Sequence, residues 1–275
     1  MTCAVEHILC LSYGKDSLAC LGAIEKLGWP LDRVVTVDVM ATDTIPADLP
    51  PMVEFKAVAD KIIQERFGIK VEHVTSGVTF ERGFYFKRGR TGRKTKHAGD
   101  IYGWPLRKGQ WCLQKLKRPA FQKIGNSSIQ YVGIAADERK RFNNLTEKKK
   151  SPLVELGWTE ADCRRWCEEN GMLSPIYTTE ARGGCWFCHN KGAKQLRRLR
   201  KNCPEYWALM LKWDKDSCIP FHEDGRTVRD YEARFQLEDA GLVLPDQPFR
   251  WSWIDEVQLT AEWFLKYGGY ADDLR

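Results

Sequence analysis

The chain has 275 residues, 43% of them hydrophobic, and a formal charge of +6, which suits one large domain, or a domain with an appended region, around an ordinary core. No apolar run approaches the roughly 20 residues that a membrane-spanning helix needs, and residues 1–7 lack the basic and apolar regions of an export signal, so a cytoplasmic protein without a membrane anchor is expected. In that setting the ten cysteines are expected to be reduced thiols or metal ligands rather than disulfides.

In chain order, the apolar run 8–11 reads as a buried strand. Ser12, Tyr13 and Gly14 turn the chain, and from about Lys15 onwards Leu18, Leu21, Ile24 and Leu27 recur at helical spacing. A strand that passes through a tight turn into a helix gathers unpaired backbone N–H groups and the positive end of the helix dipole at one place, which suits phosphate. Ser12 and Ser17 add hydroxyl donors, Lys15 a point charge for a phosphoryl oxygen, and Asp16 a carboxylate for magnesium. The spacing is not that of a Walker loop, which needs two glycines followed by Lys and Ser or Thr.

A second strand is expected at 34–39, with Asp38 near its carboxyl end, then a loop at 41–51 and a helix whose apolar face includes Val53, Phe55, Ala59 and Ile63 and which Gly68 stops. Residues 71–74 form a third strand. Strands separated by helices imply right-handed crossovers and a mainly parallel sheet covered on both faces, with ligands beyond the carboxyl ends of the strands. Residues 12–17 and 38–43 fall on that edge.

Residues 79–109 break the pattern. Cations from Arg82 to Lys108 alternate with Phe84, Tyr85, Phe86, Tyr102 and Trp104, and the glycines from Gly83 onwards argue against a regular helix. Such a stretch is either a solvated surface loop or a nucleic-acid groove, with charges for the backbone and rings for the bases. Trp111-Cys112 then leads into a basic helix ending near Gly125. A strand at 129–134 delivers Asp137, Glu138, Arg139 and Arg141 to the functional edge.

In the second half, residues 152–156 read as a short strand or extended run, and Thr159 to Asp162 as a capping box opening a helix that Gly171 closes. Cys163 and Cys167 on that helix are expected to be core thiols. Gly183-Gly184 opens a C-x2-C turn at Cys185 and Cys188, which is metal-site geometry. With Cys112 upstream and Cys203-Pro204 downstream, four thiols form a candidate ligand set for an iron–sulfur cluster or for zinc, with His189 able to replace one; redox chemistry at the pair is a third option. Residues 191–201 read as a basic helix, Pro204 opens a helix of core character through Trp207, Met210 and Trp213, and further helices are expected at 228–242 and 254–267.

The Ser12-Tyr13-Gly14-Lys15-Asp16-Ser17 loop resembles the Ser-Gly-Gly-x-Asp-Ser signature of PP-loop ATP pyrophosphatases, with Tyr13 in place of the second residue. Together with Asp38 and its following loop and helix, the element from Trp111-Cys112 to Lys117, and the segment from Gly133 to Arg141, it occurs in an order similar to that of the phosphoadenosine-phosphosulfate (PAPS) reductase family of the adenine nucleotide α-hydrolase superfamily. The likeness spans roughly residues 1–200. It implies an α/β fold: a Rossmann-like, doubly wound, mainly parallel sheet as a nucleotide-binding domain at 1–150, and a mostly helical, cysteine-containing region at 151–275 packed on it. By resemblance, the residues from Ser12 to Ser17 hold the phosphates of ATP with magnesium, Asp38 and Gly133 lie near the nucleotide, and Arg139 and Arg141 face the anionic substrate. The resemblance also favours a [4Fe–4S] cluster over zinc at Cys112, Cys185, Cys188 and Cys203.

Two departures from the reductases direct the functional expectation. Lys15, Asp16 and Ser17 are intact where reductases have lost the loop lysine, and no cysteine follows Cys218. The chain is therefore expected to adenylate an acceptor with release of pyrophosphate, using Lys15, Asp16 and Arg139, and to support transfer of sulfur from a donor. The acceptor is tRNA or DNA if the basic segments 82–108 and 191–201 bind nucleic acid. A sulfonucleotide reductase and a non-catalytic nucleotide- or nucleic-acid-binding protein are the alternatives.

Overall fold

The computed structural model describes residues 5–89, 99–106, 110–124, 127–178, 183–245, 247–249 and 251. The helix expected at 254–267, the cations Arg90, Arg93, Lys94, Lys96, Arg107 and Lys108, and Gly125 lie outside the described residues. The chain forms two interleaved compact units, residues 1–86 with 110–188 and residues 87–109 with 189–275. The division therefore does not fall at 150: the C-x2-C turn belongs with the sheet, and part of the basic, aromatic stretch belongs with the C-terminal helices.

The first unit is built on β1 (His7–Leu11), β2 (Arg33–Val37), β3 (Val71–Val74), β4 (Ile129–Tyr131) and β5 (Lys149–Lys150), with α1 (Lys15–Leu27) after β1 and α2 (Pro50–Phe67) after β2. All pairings are parallel, in the order β3-β2-β1-β4-β5. Leu9 stands opposite Val34 on one side and Tyr131 on the other. Leu9 and Leu11 belong to the cluster formed with Leu18, Leu21 and Ile24 of α1 and Phe55, Ala59 and Ile63 of α2. Ile8 and Val35, pointing the other way, meet Ile124, so alternation along the strands divides the apolar residues between two faces. Each fully buried Leu of this kind contributes about 1.5–3 kcal/mol.

From β1 the chain moves outward to β2 and β3, then returns past β1 to place β4 on its other side. The strand order thus reverses between β1 and β4, and in open α/β sheets a crevice at such a point receives ligands. α3 (Phe80–Phe84) and α4 (Arg118–Gln122) lie in that return, the latter preceded by a π-helical turn at Leu113–Lys117. Gly83 lies inside α3 despite the expectation that its glycines exclude a helix. Thr79 caps the turn by accepting from Arg82 N, and the Trp111 ring fills the space a Cβ would need, its Cζ3 2.4 Å from that position.

α5 (Arg139–Phe142) follows β4, and α6 (Pro152–Glu155) follows β5. Residues 152–155 are helical rather than extended because Ser151 accepts from Val154 N and Pro152 takes the first turn, where its missing N–H costs nothing. α7 (Glu160–Glu169) opens with the expected capping box and packs on α1. Cys163 and Cys167 are fully buried, as core thiols should be.

The second unit contains α8 (Ala193–Asn202), α9 (Pro204–Asp216) and α10 (Val228–Asp239), which pack on one another. Trp104, from the early stretch, meets Trp213 and Phe221 edge-on, at centroid distances of 6.2 and 4.9 Å. Its Nε1 donates to Asp214 at 2.9 Å. Asp214, 2% exposed, also accepts from the Val228 and Arg229 amides at 3.1 and 3.2 Å, where a carboxylate complements the positive end of α10. Among the described residues no helix is long and apolar enough to cross a membrane.

Candidate functional site

The turn after β1 is braced by its own serines. Ser12 N and Ser12 Oγ donate to Ser17 Oγ at 3.1 and 3.0 Å, and Ser17 Oγ donates to Gly14 O at 3.0 Å. Gly133, just beyond β4, closes the turn from outside. Gly14 caps α1 with no side chain to offer, and the Tyr177 hydroxyl accepts from Lys15 N at 3.2 Å. Lys15 Nζ lies 2.6 Å from Asp16 and 3.0 Å from Glu160. Burial depresses this ammonium, but the two carboxylates outweigh it and the net shift is upward. Burial in turn raises Asp16 against the pull of Lys15.

Tyr13 turns its side chain into the core. It has φ +54° and is fully buried, and its hydroxyl donates to Asp60 and lies 3.4 Å from His73 Nε2. Burial, reinforced by Asp60, pushes its phenol well above the ordinary value. His73 joins Asp60 at 2.9 Å to Asp38 at 2.6 Å. Asp38, one residue past β2, is also held by Lys56 at 2.9 Å, and Lys56 reaches Asp48 at 2.6 Å. Burial would raise Asp38, but Lys56 and His73 bring it below the usual carboxylate value.

A cavity of about 310 Å³ opens at this edge, within the range of small-molecule sites. Its walls include Ser12 and Gly14 of the loop, Thr36 and Val37 at the end of β2, Asp48, Met52 and Lys56, and then Lys117, Phe121, Tyr177 and Cys185. Lys15, Asp16, Ser17, Asp38 and Gly133 are not among the residues that line it. Arg139 is exposed on α5 and Arg141 is paired with Glu138 at 2.6 Å; neither lines the cavity.

Three of the four candidate ligand thiols share the first unit. Cys188 N donates to Cys185 O at 3.1 Å, which forms the expected turn. Burial pushes the Cys185 thiol up to about 12; Lys117 draws it down, while Cys188 and Cys112 push it further up. Cys112 is likewise raised by burial and by Cys188. A donor set of clustered thiols beside a lysine suits a soft metal or cluster, although among the described residues no three such side chains converge closely enough to hold an ion. Cys203 and His189 belong to the second unit. Cys203 caps α9, and His189 is 6% exposed with its Nε2 unpartnered, as is that of His222.

Among the described residues of the expected nucleic-acid segments, several cations are engaged within their own units. Arg197 donates to Glu238, at 2.8 Å through Nη2, and Arg200 to Glu232 and Asp239 at 2.9 and 2.6 Å. Lys191 is buried, as are Phe84 and Trp104. Arg82 pairs with Asp43 at 2.9 Å, and Arg88 donates to the carbonyls of Ile101 and Tyr102. Lys56, Asp48, Tyr177, Glu160 and His73 carry the site's polar geometry without having been singled out in the sequence. Only Lys56, a charge beside the apolar face of α2, left a local sign there.

The fold and cavity together define an α/β protein with an all-parallel sheet and a thiol-bordered pocket at its carboxyl edge. Comparison with protein-family models, with curated proteins and with solved structures finds no match.

Proposed function

We propose that this protein is a cytoplasmic PP-loop enzyme related to the PAPS reductases. It binds ATP with magnesium, adenylates an acceptor oxygen with release of pyrophosphate, and lets a sulfur nucleophile displace AMP. One observation carries the reading: the cavity that Ser12 and Gly14 border is also bordered by Cys185 and Lys117, so phosphate-binding and thiol chemistry share one space. The strand order β3-β2-β1-β4-β5 supports a Rossmann-like, doubly wound sheet of the adenine nucleotide α-hydrolase type, with the loop beside the reversal point.

In this reading the amides at the start of α1 and the Lys15 ammonium stabilise charge growing on the departing pyrophosphate. Asp16 would hold magnesium, which would neutralise charge on the phosphates. Lys56, fixed between Asp38 and Asp48, faces the nucleotide from the wall. Cys112, Cys185 and Cys188 of the first unit would hold a [4Fe–4S] cluster, which would supply a thiophilic iron; Cys203, the fourth thiol expected from the sequence, belongs to the second unit. Zinc on the same thiols is the competing assignment.

The test is pyrophosphate release from ATP in the presence of candidate acceptors, tRNA and DNA included. Wild type should release it, and Lys15→Ala should abolish release while keeping the wild-type circular dichroism. Release of sulfite from an adenylyl sulfate, with no pyrophosphate from any acceptor, would establish a sulfonucleotide reductase instead. Nucleotide binding with neither product would leave a binding protein on an enzyme's fold.

A further inference from the structure

The loop's two strongest donors toward an anion are already engaged by acceptors from elsewhere in the first unit. Lys15 N, the first amide of α1, donates to Tyr177 Oη at 3.2 Å. That hydroxyl also lies 3.4 Å from where a Cβ on Gly14 would stand. Lys15 Nζ donates to Glu160 Oε2 at 3.0 Å and to Asp16 at 2.6 Å. The acceptors are held independently of the loop. Tyr177 sits in the turn Pro175–Thr178, which packs on α2. Glu160 begins α7, its amide donating to Asp137 at 3.2 Å.

We propose that Tyr177 and Glu160 are internal stand-ins for phosphate: the phenol oxygen occupies the anion position on the Lys15 amide, the Glu160 carboxylate occupies the one on the Lys15 ammonium, and a phosphate-bearing ligand binds by displacing both. The chemistry of each acceptor matches its donor. A neutral oxygen serves an amide, a carboxylate serves an ammonium, and neither leaves the helix start bare. Phosphate oxygens are charged acceptors and make stronger hydrogen bonds than a phenol does, so displacement runs in the ligand's favour. Its cost appears as weakened affinity, because only the vacated fraction of molecules is competent to bind. The inference rests on reading the loop as the phosphate site.

The experiment is calorimetric titration of the full chain with inorganic pyrophosphate and magnesium, using wild type, Tyr177→Phe and Glu160→Gln. Tyr177→Phe should tighten binding about threefold to tenfold, the worth of one hydrogen bond. Glu160→Gln should tighten it about twofold to fivefold at low salt, since the 51% exposed carboxylate is screened. The Glu160 gain should shrink as salt rises, and the Tyr177 gain should persist. Glu160, being half exposed, tests the idea even if the Tyr177 variant loses stability. If wild type binds and neither variant binds tighter, the stand-in role is overturned while the phosphate site survives. If the variants gain affinity but no acceptor ever elicits pyrophosphate release, the stand-in role holds and the enzymatic reading falls. If none of the three proteins binds pyrophosphate, both fall.

Discussion

Gly133 lies directly against the backbone of Ser17: a Cβ built on it would stand 2.5 Å from the Ser17 nitrogen. The contact joins the end of β4 to the first turn of α1, across the point where the strand order reverses. Gly133→Ala must push the loop or strand aside, so it should cost about 1–3 kcal/mol as overpacking does and weaken ATP binding as well. Urea denaturation and titration with ATP check this together. An alanine variant with wild-type stability and affinity would mean that the loop yields freely.

Arg197 and Arg200 should matter for folding and not for polyanion binding. Glu238 is held by Arg197 and by Arg234, the latter at 2.8 Å. Burial pushes the Glu238 carboxyl up, but the two arginines hold it below the ordinary value. Arg197→Ala should destabilise by about 1–3 kcal/mol, less than a fully orphaned buried charge, because Arg234 remains. The salt dependence of any nucleic-acid binding should be unchanged in Arg197→Ala and Arg200→Ala. A flatter slope in either variant, near one phosphate contact's worth, would show that the arginine reaches the polyanion.

The His73 pair of carboxylates sets a pH dependence. Burial lowers the His73 pKa, but Asp38 and Asp60 more than compensate, and the folded value lies above 6.5. Because the folded value exceeds the unfolded one, the contribution is complete below pH 6.5 and is lost as pH rises through the raised folded value. The stability gap between wild type and His73→Asn should therefore be largest on the acid side of that window and shrink above it. Denaturation curves across neutral pH measure the gap. A gap that widens with rising pH would contradict the arrangement.

Cysteine substitutions should separate ligands from core thiols. Cys185→Ser and Cys188→Ser should lose metal, measured as metal content and visible absorbance of anaerobically purified protein. Cys163→Ser should keep the metal and lose about 1–3 kcal/mol of stability, the cost of a poorly satisfied buried hydroxyl. Equal metal loss for Cys163→Ser would mean that the ligand set is wrong.

Local signals survived from sequence to structure. The apolar run of β1, the helical spacing of α1 and the capping box of α7 each concern residues within a few positions of one another, and all formed as expected. Residues 152–155 were misread because the Ser151 cap outweighed a short apolar run. What the sequence hid was pairing at a distance. Two cations of the basic pattern of α8, Arg197 and Arg200, meet acids that lie 41 and 32 positions away on α10. Tyr13 looked like a loop residue facing ligand, yet Asp60 draws it inward from 47 positions on. Tyr177 reaches Lys15 across 162 positions, and no local period announces such a meeting.

The interleaving of the two units imposes an order on synthesis. Trp104 leaves the ribosome long before its partner Asp214, which comes 110 positions later. At about 5–20 residues per second, that gap lasts about 5–20 s. During it the nascent chain carries a large aromatic ring with nowhere to bury it, while the strands of the first unit are being completed on either side. A chain halted before α9 would keep that ring exposed for good. Chaperone capture of such truncated chains, relieved by Trp104→Ser, is the biosynthetic signature of a unit whose sequence is split by that of another.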